Sequence, residues 1–303
     1  MHRASLERQV LNALARRRAV GLHFLAHVLG VEGEAPSVGD SPSMRLRPPP
    51  SEGTRHPSSL ALGTLADLTM GHAIRTNMPT GLRLATSGMT VHTRPVLDVS
   101  GSAYATARVS WVDVERRMAT ATVQIYGESD ELLAVGSGSF SALPAPKGRI
   151  LRDIDWSRLQ QGAVSELRLE ELDDGERRIW EAVVRRATDS ADLQETVLGV
   201  DWQTVSPERS EGRALVGAHL ENRAGHLQGG AAYGMIALAA QRAVSTETRV
   251  AEVRVQFLRP GRRGTVWIHA RVLRRGRTLA FIHAVVEQDG AQIADGMVTL
   301  VTM

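Results

Sequence analysis

Apolar and polar positions along the chain fall into the same order twice. Residues 5–31 carry apolar side chains at helical spacing and close on Val28-Leu29-Gly30-Val31. Residues 32–52 are rich in Pro, Gly and Ser and predict loop, with a short strand at 44–47. Residues 58–77 are apolar with few charges, which predicts a buried helix. Four runs rich in Val, Thr and Ala follow at 83–95, 101–112, 117–126 and 131–141, each bounded by Gly, Pro or Asp, and they predict strands. Leu143-Pro144-Ala145-Pro146-Lys147-Gly148 then predicts a linker.

Beyond it the order returns. Residues 176–186 are helical in pattern, and Val197-Leu198-Gly199-Val200 repeats Val28-Leu29-Gly30-Val31 residue for residue. A loop rich in Ser, Glu and Arg leads to a short strand at 213–219, then to a Gly-rich loop and an apolar helix, Ala231 to Ala243. Four strand-like runs close the chain at 251–259, 265–273, 278–287 and 291–302. Arg94-Pro95 matches Arg259-Pro260, and Ala107-Arg108-Val109 matches Ala270-Arg271-Val272. Arg117, Ala134 and Gly136 match Arg277, Ala294 and Gly296 at the same internal spacings. An ordered set of this kind reads as a duplicated unit of ~130 residues, each a long helix with an antiparallel sheet of about five strands. Alternation such as Val253-Arg254-Val255-Gln256-Phe257 buries one sheet face only.

Composition narrows the chemistry. The 303 residues are 43% hydrophobic and 23% charged, ample for two cores. There is no cysteine, so disulfides, thiolate metal sites and a cysteine nucleophile are excluded. A net charge of +3 is too small to argue for nucleic acid. No apolar run reaches the ~18 residues of a membrane span, and the Arg-rich start lacks a small-residue cleavage site, so a cytoplasmic protein is expected. No clustered His, Asp and Glu spacing points to a metal.

The candidate chemistry lies at the second long helix. Asn222-Arg223-Ala224-Gly225-His226-Leu227-Gln228-Gly229-Gly230 lets the backbone turn tightly just before an uncharged helix. The free amides of such a helix start can bind an anion or an oxyanion.

A long buried helix, a wrapped antiparallel sheet and an Asn-x5-Gln-Gly-Gly start resemble the hotdog fold. The closer resemblance is to acyl-CoA thioesterases of the phenylacetate-pathway and 4-hydroxybenzoyl-CoA type, in a tandem form with both hotdogs in one chain. The resemblance covers most of residues 20–303. It implies an α+β chain of two hotdogs paired as a pseudo-dimer: residues 1–145 as the first, 146–164 as linker and 165–303 as the second. In that family each site takes an Asn and a Gly-Gly helix start from one hotdog and an Asp or Glu from the other, nine residues past the His/Gln position.

Carried onto this chain, Asn222, Gln228 and Gly229 fit the loop half of a site, with Gly230 beside them as a substrate contact. Nine residues past Gln228 stands Ala237, so the acid is missing there. In the first repeat the start is Glu52, Ser58 and Ser59, without Asn or Gly-Gly, yet Asp67 stands nine residues past Ser58. The losses are complementary: Asp67 with Asn222, Gln228 and Gly229 keeps one composite site, and Ala237 with Glu52 and Ser58 has lost the other.

The resemblance therefore implies thioester hydrolysis, with Asp67 as general base or nucleophile and the Gly229 amide at the oxyanion. Some members of the family hold the water with a hydroxyl on the next strand; the aligned position is near Ala85, which has none, and a register shift could bring in the adjacent Thr86 or Ser87. His72, five residues after Asp67, is a further candidate for the pocket wall, and His56 and His226 precede the two helices. Arg94, Arg116, Arg117, Arg259, Arg262, Arg263, Arg274, Arg275 and Arg277 lie at strand ends, where CoA phosphates could be met. No cofactor is implied beyond CoA as part of the substrate, and no metal. The expected partner is acyl-CoA, with a homodimer of double hotdogs allowed. Two other readings on the same fold are a non-catalytic binder of acyl-CoA or acyl-carrier protein and a dehydratase or hydratase. The last fits poorly, because its Asp-x5-His motif would need a histidine one place beyond His72.

Overall fold

The computed structural model describes residues 3–33, 43–47, 57–78, 82–95, 102–144, 154–155, 158, 164–187, 192–244 and 247–302. Two long helices lie side by side inside one continuous twelve-stranded sheet. The first repeat supplies helices α1 (Arg3–Val20), α2 (Phe24–Val28) and α3 (Ser59–Arg75). Its strands are β1 (Val31–Gly33), β2 (Ser43–Leu46), β3 (Leu82–Thr93), β4 (Ala103–Asp113), β5 (Met118–Gly127) and β6 (Leu132–Pro144). The second repeat supplies α4 (Asp174–Val184), α5 (Leu193–Leu198) and α6 (Gly229–Val244). Its strands are β7 (Asp201–Ser206), β8 (Arg209–Val216), β9 (Thr248–Phe257), β10 (Gly264–Arg275), β11 (Leu279–Gln288) and β12 (Ala291–Thr302).

The sheet order is β1-β2-β4-β5-β6-β3-β9-β12-β11-β10-β8-β7, which reads the same from both ends once the repeats are matched. The halves join where β3 pairs antiparallel with β9, from Gly88 opposite Gln256 to His92 opposite Glu252. Main-chain hydrogen bonds thus fuse the two repeats through their central strands, and neither central strand is left as an open edge. Val253 and Val255 face the core while Arg254 and Gln256 face out, as the alternation predicts. The matched triplets also hold structurally. A bulge follows Val109 in β4, and one follows Val272 in β10.

The two long helices approach closely because small residues stand at their crossing. A Cβ on Gly63 would come within 2.3 Å of the buried Tyr233 ring. The Ser58 hydroxyl caps α3 by accepting from the Ala61 amide at 3.2 Å. The two repeats also meet where α1 packs on α4 and the Arg18 guanidinium grips the buried Glu176 carboxylate.

Three expectations are corrected. Residues 5–31 do not form one helical unit. The chain breaks at Gly21, whose φ of 82° ends α1, and again at Gly30 (φ 80°) before β1. Gly199, the counterpart of Gly30, has φ 57° and ends α5 in the same way. The Ser/Glu/Arg-rich loop before residue 213 is largely a hairpin, β7–β8, and among the described residues each repeat has six strands rather than five. β7 is exposed almost throughout, so it carries no apolar alternation to betray it.

Candidate active site

The middle of α3 and the start of α6 meet at one carboxylate. Asp67 is 8% exposed on an otherwise apolar stretch of α3. Its Oδ1 accepts a hydrogen bond from the Thr86 hydroxyl at 2.6 Å, and its Oδ2 accepts one from Gln228 Nε2 at 3.0 Å. Burial pushes the carboxyl up to about 6, opposed by the Thr86 hydroxyl, which favours the ionised form.

Each partner is fixed by its own local structure. In the β3–β6 ladder Thr86 pairs with Phe140 and Gly88 with Ser139, so Ser87 is an extra residue and β3 bulges there. The bulge lies directly after Thr86, the residue whose hydroxyl meets Asp67. The Ser87 hydroxyl lies on the same cavity wall but donates to the Ser139 carbonyl at 3.0 Å. Gln228 is held by its other end. Its Oε1 accepts from the Ala231 amide at 2.9 Å, which leaves Nε2, the donor, facing the carboxylate.

Gly229 follows at the first position of α6 and stands against the acid. A Cβ there would lie 2.9 Å from Asp67 Oδ2, so only glycine leaves the space open. No hydrogen bond to the Gly229 amide occurs among the described residues. Asn222 builds the loop. Its Oδ1 accepts from the Ala224 amide at 2.9 Å and the His226 amide at 3.1 Å, and its backbone amide donates to the His226 carbonyl at 2.7 Å. Gly230 does not line the cavity. It is buried where α6 crosses α3, and a Cβ on it would come within 2.3 Å of the Thr64 hydroxyl.

The cavity beside these groups has a volume of about 410 Å³ and runs between α3, β3, the 222–228 loop and the end of β9. His72 and His226 line it. Burial lowers the His72 imidazole, helped by the positive charge of Arg75, and its Nε2 has no hydrogen-bond partner. Of the arginines singled out at strand ends, Arg259 is on the wall, joined by Arg75, Arg83 and Arg223. Arg263 is committed elsewhere, donating to Glu221 at 2.9 Å, and Arg116 donates to Asp113 at 2.8 Å. Among the described residues no three His, Cys, Asp or Glu side chains cluster as metal ligands would. No helix among them is long and apolar enough to cross a membrane.

The equivalent position in the other half is stripped. Ala237 is fully buried where an acid would stand. Val250 occupies the register of Thr86, since Leu300 opposite it corresponds to Phe140. Ser58 replaces Gln228 and only caps its own helix. The Gln194 side chain, from α5, accepts from the Leu60 amide at 2.9 Å and occupies the start of α3. Glu52 and His56, named in the sequence reading, lie outside the described residues.

Sequence reasoning missed His23, which precedes α2 and lines the cavity. The signal was present. His23 stands the same distance before Val28-Leu29-Gly30-Val31 as Asp192 stands before Val197-Leu198-Gly199-Val200.

Residues 220–301 match the family model described as the acyl-CoA thioesterase N-terminal domain, a span that includes Gln228 and Gly229 but not Asp67. Comparison with curated protein sequences gives no significant match. Among solved structures, an oleoyl thioesterase from Lactobacillus plantarum is similar over 86% of this chain and 96% of its own, at 11% identity and a TM-score of 0.55. A tesB protein from Mycobacterium avium subs paratuberculosis is similar over 89% and 95%, at 10% identity and a TM-score of 0.55. A thioesterase from Novosphingobium aromaticivorans is similar over 88% and 97%, at 12% identity and a TM-score of 0.53. At such identities the likeness is one of fold, and it extends over both repeats.

Proposed function

We propose that this chain, a member of the hotdog-fold thioesterase superfamily, hydrolyses acyl-CoA thioesters at one composite site between its repeats. The observation that carries the reading is the Asp67 carboxylate, held by Thr86 and Gln228 against the open Gly229 amide. In this reading Asp67 takes a proton from a water molecule as the water oxygen bonds to the thioester carbon. The carbonyl oxygen gains negative charge, and the Gly229 amide at the helix start donates to it. The C–S bond then breaks, CoA leaves as thiolate and takes up a proton, and the free acid remains.

The base role is favoured over direct attack by the carboxylate. Both oxygens of Asp67 already accept side-chain hydrogen bonds, which restrain the rotation that attack would need. Asn222 acts by shaping the loop, since its side-chain oxygen is spent on the loop's own amides. Residues 1–145 then supply the acid, 146–164 link, and 165–303 supply the oxyanion loop. The proposal is completed by a cytoplasmic setting, a homodimer of the chain and no cofactor beyond the CoA of the substrate.

Release of free CoA thiol, followed across short, long, branched and aromatic acyl-CoAs, tests the reading. Turnover of at least one class is expected. Tight binding across the panel with no thiol release would replace hydrolysis with acyl-CoA binding.

A further inference from the structure

His23 begins α2 at the position where a helix usually carries a capping side chain, and it makes no cap. Its counterpart Asp192 does cap α5, accepting from the Glu195 amide at 2.7 Å. The first repeat therefore forgoes a stabilising hydrogen bond at this place. The imidazole is 7% exposed, lines the cavity described above, and leaves Nε2 buried with no partner. An unpaired buried nitrogen is costly and calls for an explanation; His27 and His219 also leave Nε2 unpartnered, but neither lines the cavity as His23 does. His72, on the same cavity wall, also has an unpartnered Nε2.

The cavity has a closed part and an open rim. Leu22, His23, Met44 and Ile293 on its wall are buried, whereas Arg75, Leu143 and Arg259 are exposed. A CoA headgroup must stay at the charged, exposed rim, so the closed part is left for the acyl chain. We infer that His23 is a specificity-determining residue that hydrogen-bonds a neutral oxygen, a hydroxyl or keto group, carried on the acyl chain beyond the thioester. The inference rests on the hydrolase reading above. Burial, and then the charge of Arg223, lowers the His23 imidazole to about 3, so it is neutral at physiological pH and is suited to a neutral oxygen rather than a carboxylate. A site with an unpaired polar group discriminates strongly against the analogue that lacks its partner.

The test compares kcat/KM of the wild-type chain on acyl-CoAs of matched length that are plain, β-hydroxy, β-oxo or ω-hydroxy. At least one oxygenated chain is expected to exceed its plain partner by about tenfold or more, and which one does distinguishes hydroxyl from keto recognition. His23→Leu should bring that ratio close to unity, and His23→Gln, which keeps a hydrogen-bonding group, should restore part of it. A wild-type ratio at or below unity for all three oxygenated chains overturns the inference without any variant having to fold. A preference unchanged in His23→Leu overturns it as well. If no acyl-CoA of any kind is cleaved, the hydrolase reading itself has failed, which is a separate result.

Discussion

Asp67 and Gln228 stand 161 positions apart in the chain and share a hydrogen bond of 3.0 Å. The bond crosses from one repeat to the other, and with Thr86 on the opposite carboxylate oxygen it completes a three-residue constellation that neither repeat contains alone. Both donors favour the ionised acid. Gln228→Leu and Thr86→Val should each lower kcat by about 10–100-fold, and each should move the acidic limb of the pH profile upward, because the carboxylate loses a donor. Pre-steady-state and steady-state thiol release for the two variants checks this. An acidic limb that stays in place would remove these residues from the Asp67 network.

The pH profile of the wild-type chain follows from the same carboxyl. Burial holds it at about 6 in the free protein, and only the ionised form can accept a proton from water. kcat/KM should therefore fall about tenfold per pH unit below 6 and level off above about 7. A profile flat down to pH 4 would show that the acid limiting the reaction is another group.

The raised carboxyl also bears on stability. Below the ordinary value of 3.8 the Asp67 carboxyl is protonated in folded and unfolded chains alike and has no effect. Between 3.8 and about 6 the unfolded chain gives up its proton first, so stability falls as pH rises, and above about 6 the loss is complete. Asp67→Asn should thus be more stable than wild type at pH 7, by about 2–3 kcal/mol, with the gain vanishing near pH 4. Denaturant melts at the two pH values measure it. A variant less stable than wild type at pH 7 would mean that the hydrogen bonds of Asp67 outweigh its burial.

Restoring one acid to the stripped half should give nothing. Ala237 has neither a hydroxyl nor a side-chain amide in the positions of Thr86 and Gln228, because Val250 and Ser58 stand there. Ala237→Asp places a carboxyl at a fully buried site without the counterparts of the Thr86 and Gln228 donors. It should destabilise the chain by about 3 kcal/mol or more and add no turnover. A clear doubling of rate would mean that the second half is competent after all.

Much of this arrangement was legible in the sequence because duplication makes absence informative. Ala237 is unremarked alone, but the repeat sets it against Asp67, and it sets Ser58 against Gln228. That the two halves pair was implied by the resemblance, but β3 and β9 as the strands that join them, the sixth strand of each repeat and the hairpin before β8 were not legible. β7 is exposed along nearly its whole length and so leaves no alternating pattern, and β1 is three residues long, too short to show one. The role of Thr86 depended on a bulge at Ser87, and one inserted residue reverses which side chains face inward. The stretch 5–31 read as one unit because both of its helices bury apolar faces, and the break at Gly21 falls between them. Gly230 looked like part of the site because it adjoins Gly229, yet the helix crossing with Thr64 claims it.

The central claim is that Asp67 of one repeat drives chemistry at the helix start of the other. The rate of CoA release by Asp67→Asn, on whichever acyl-CoA the wild-type chain turns over best, tests it most directly. The account predicts a fall in kcat of about 10²–10⁴-fold, with the variant folded and still binding the acyl-CoA at one site per chain. Turnover within a few-fold of wild type would contradict it.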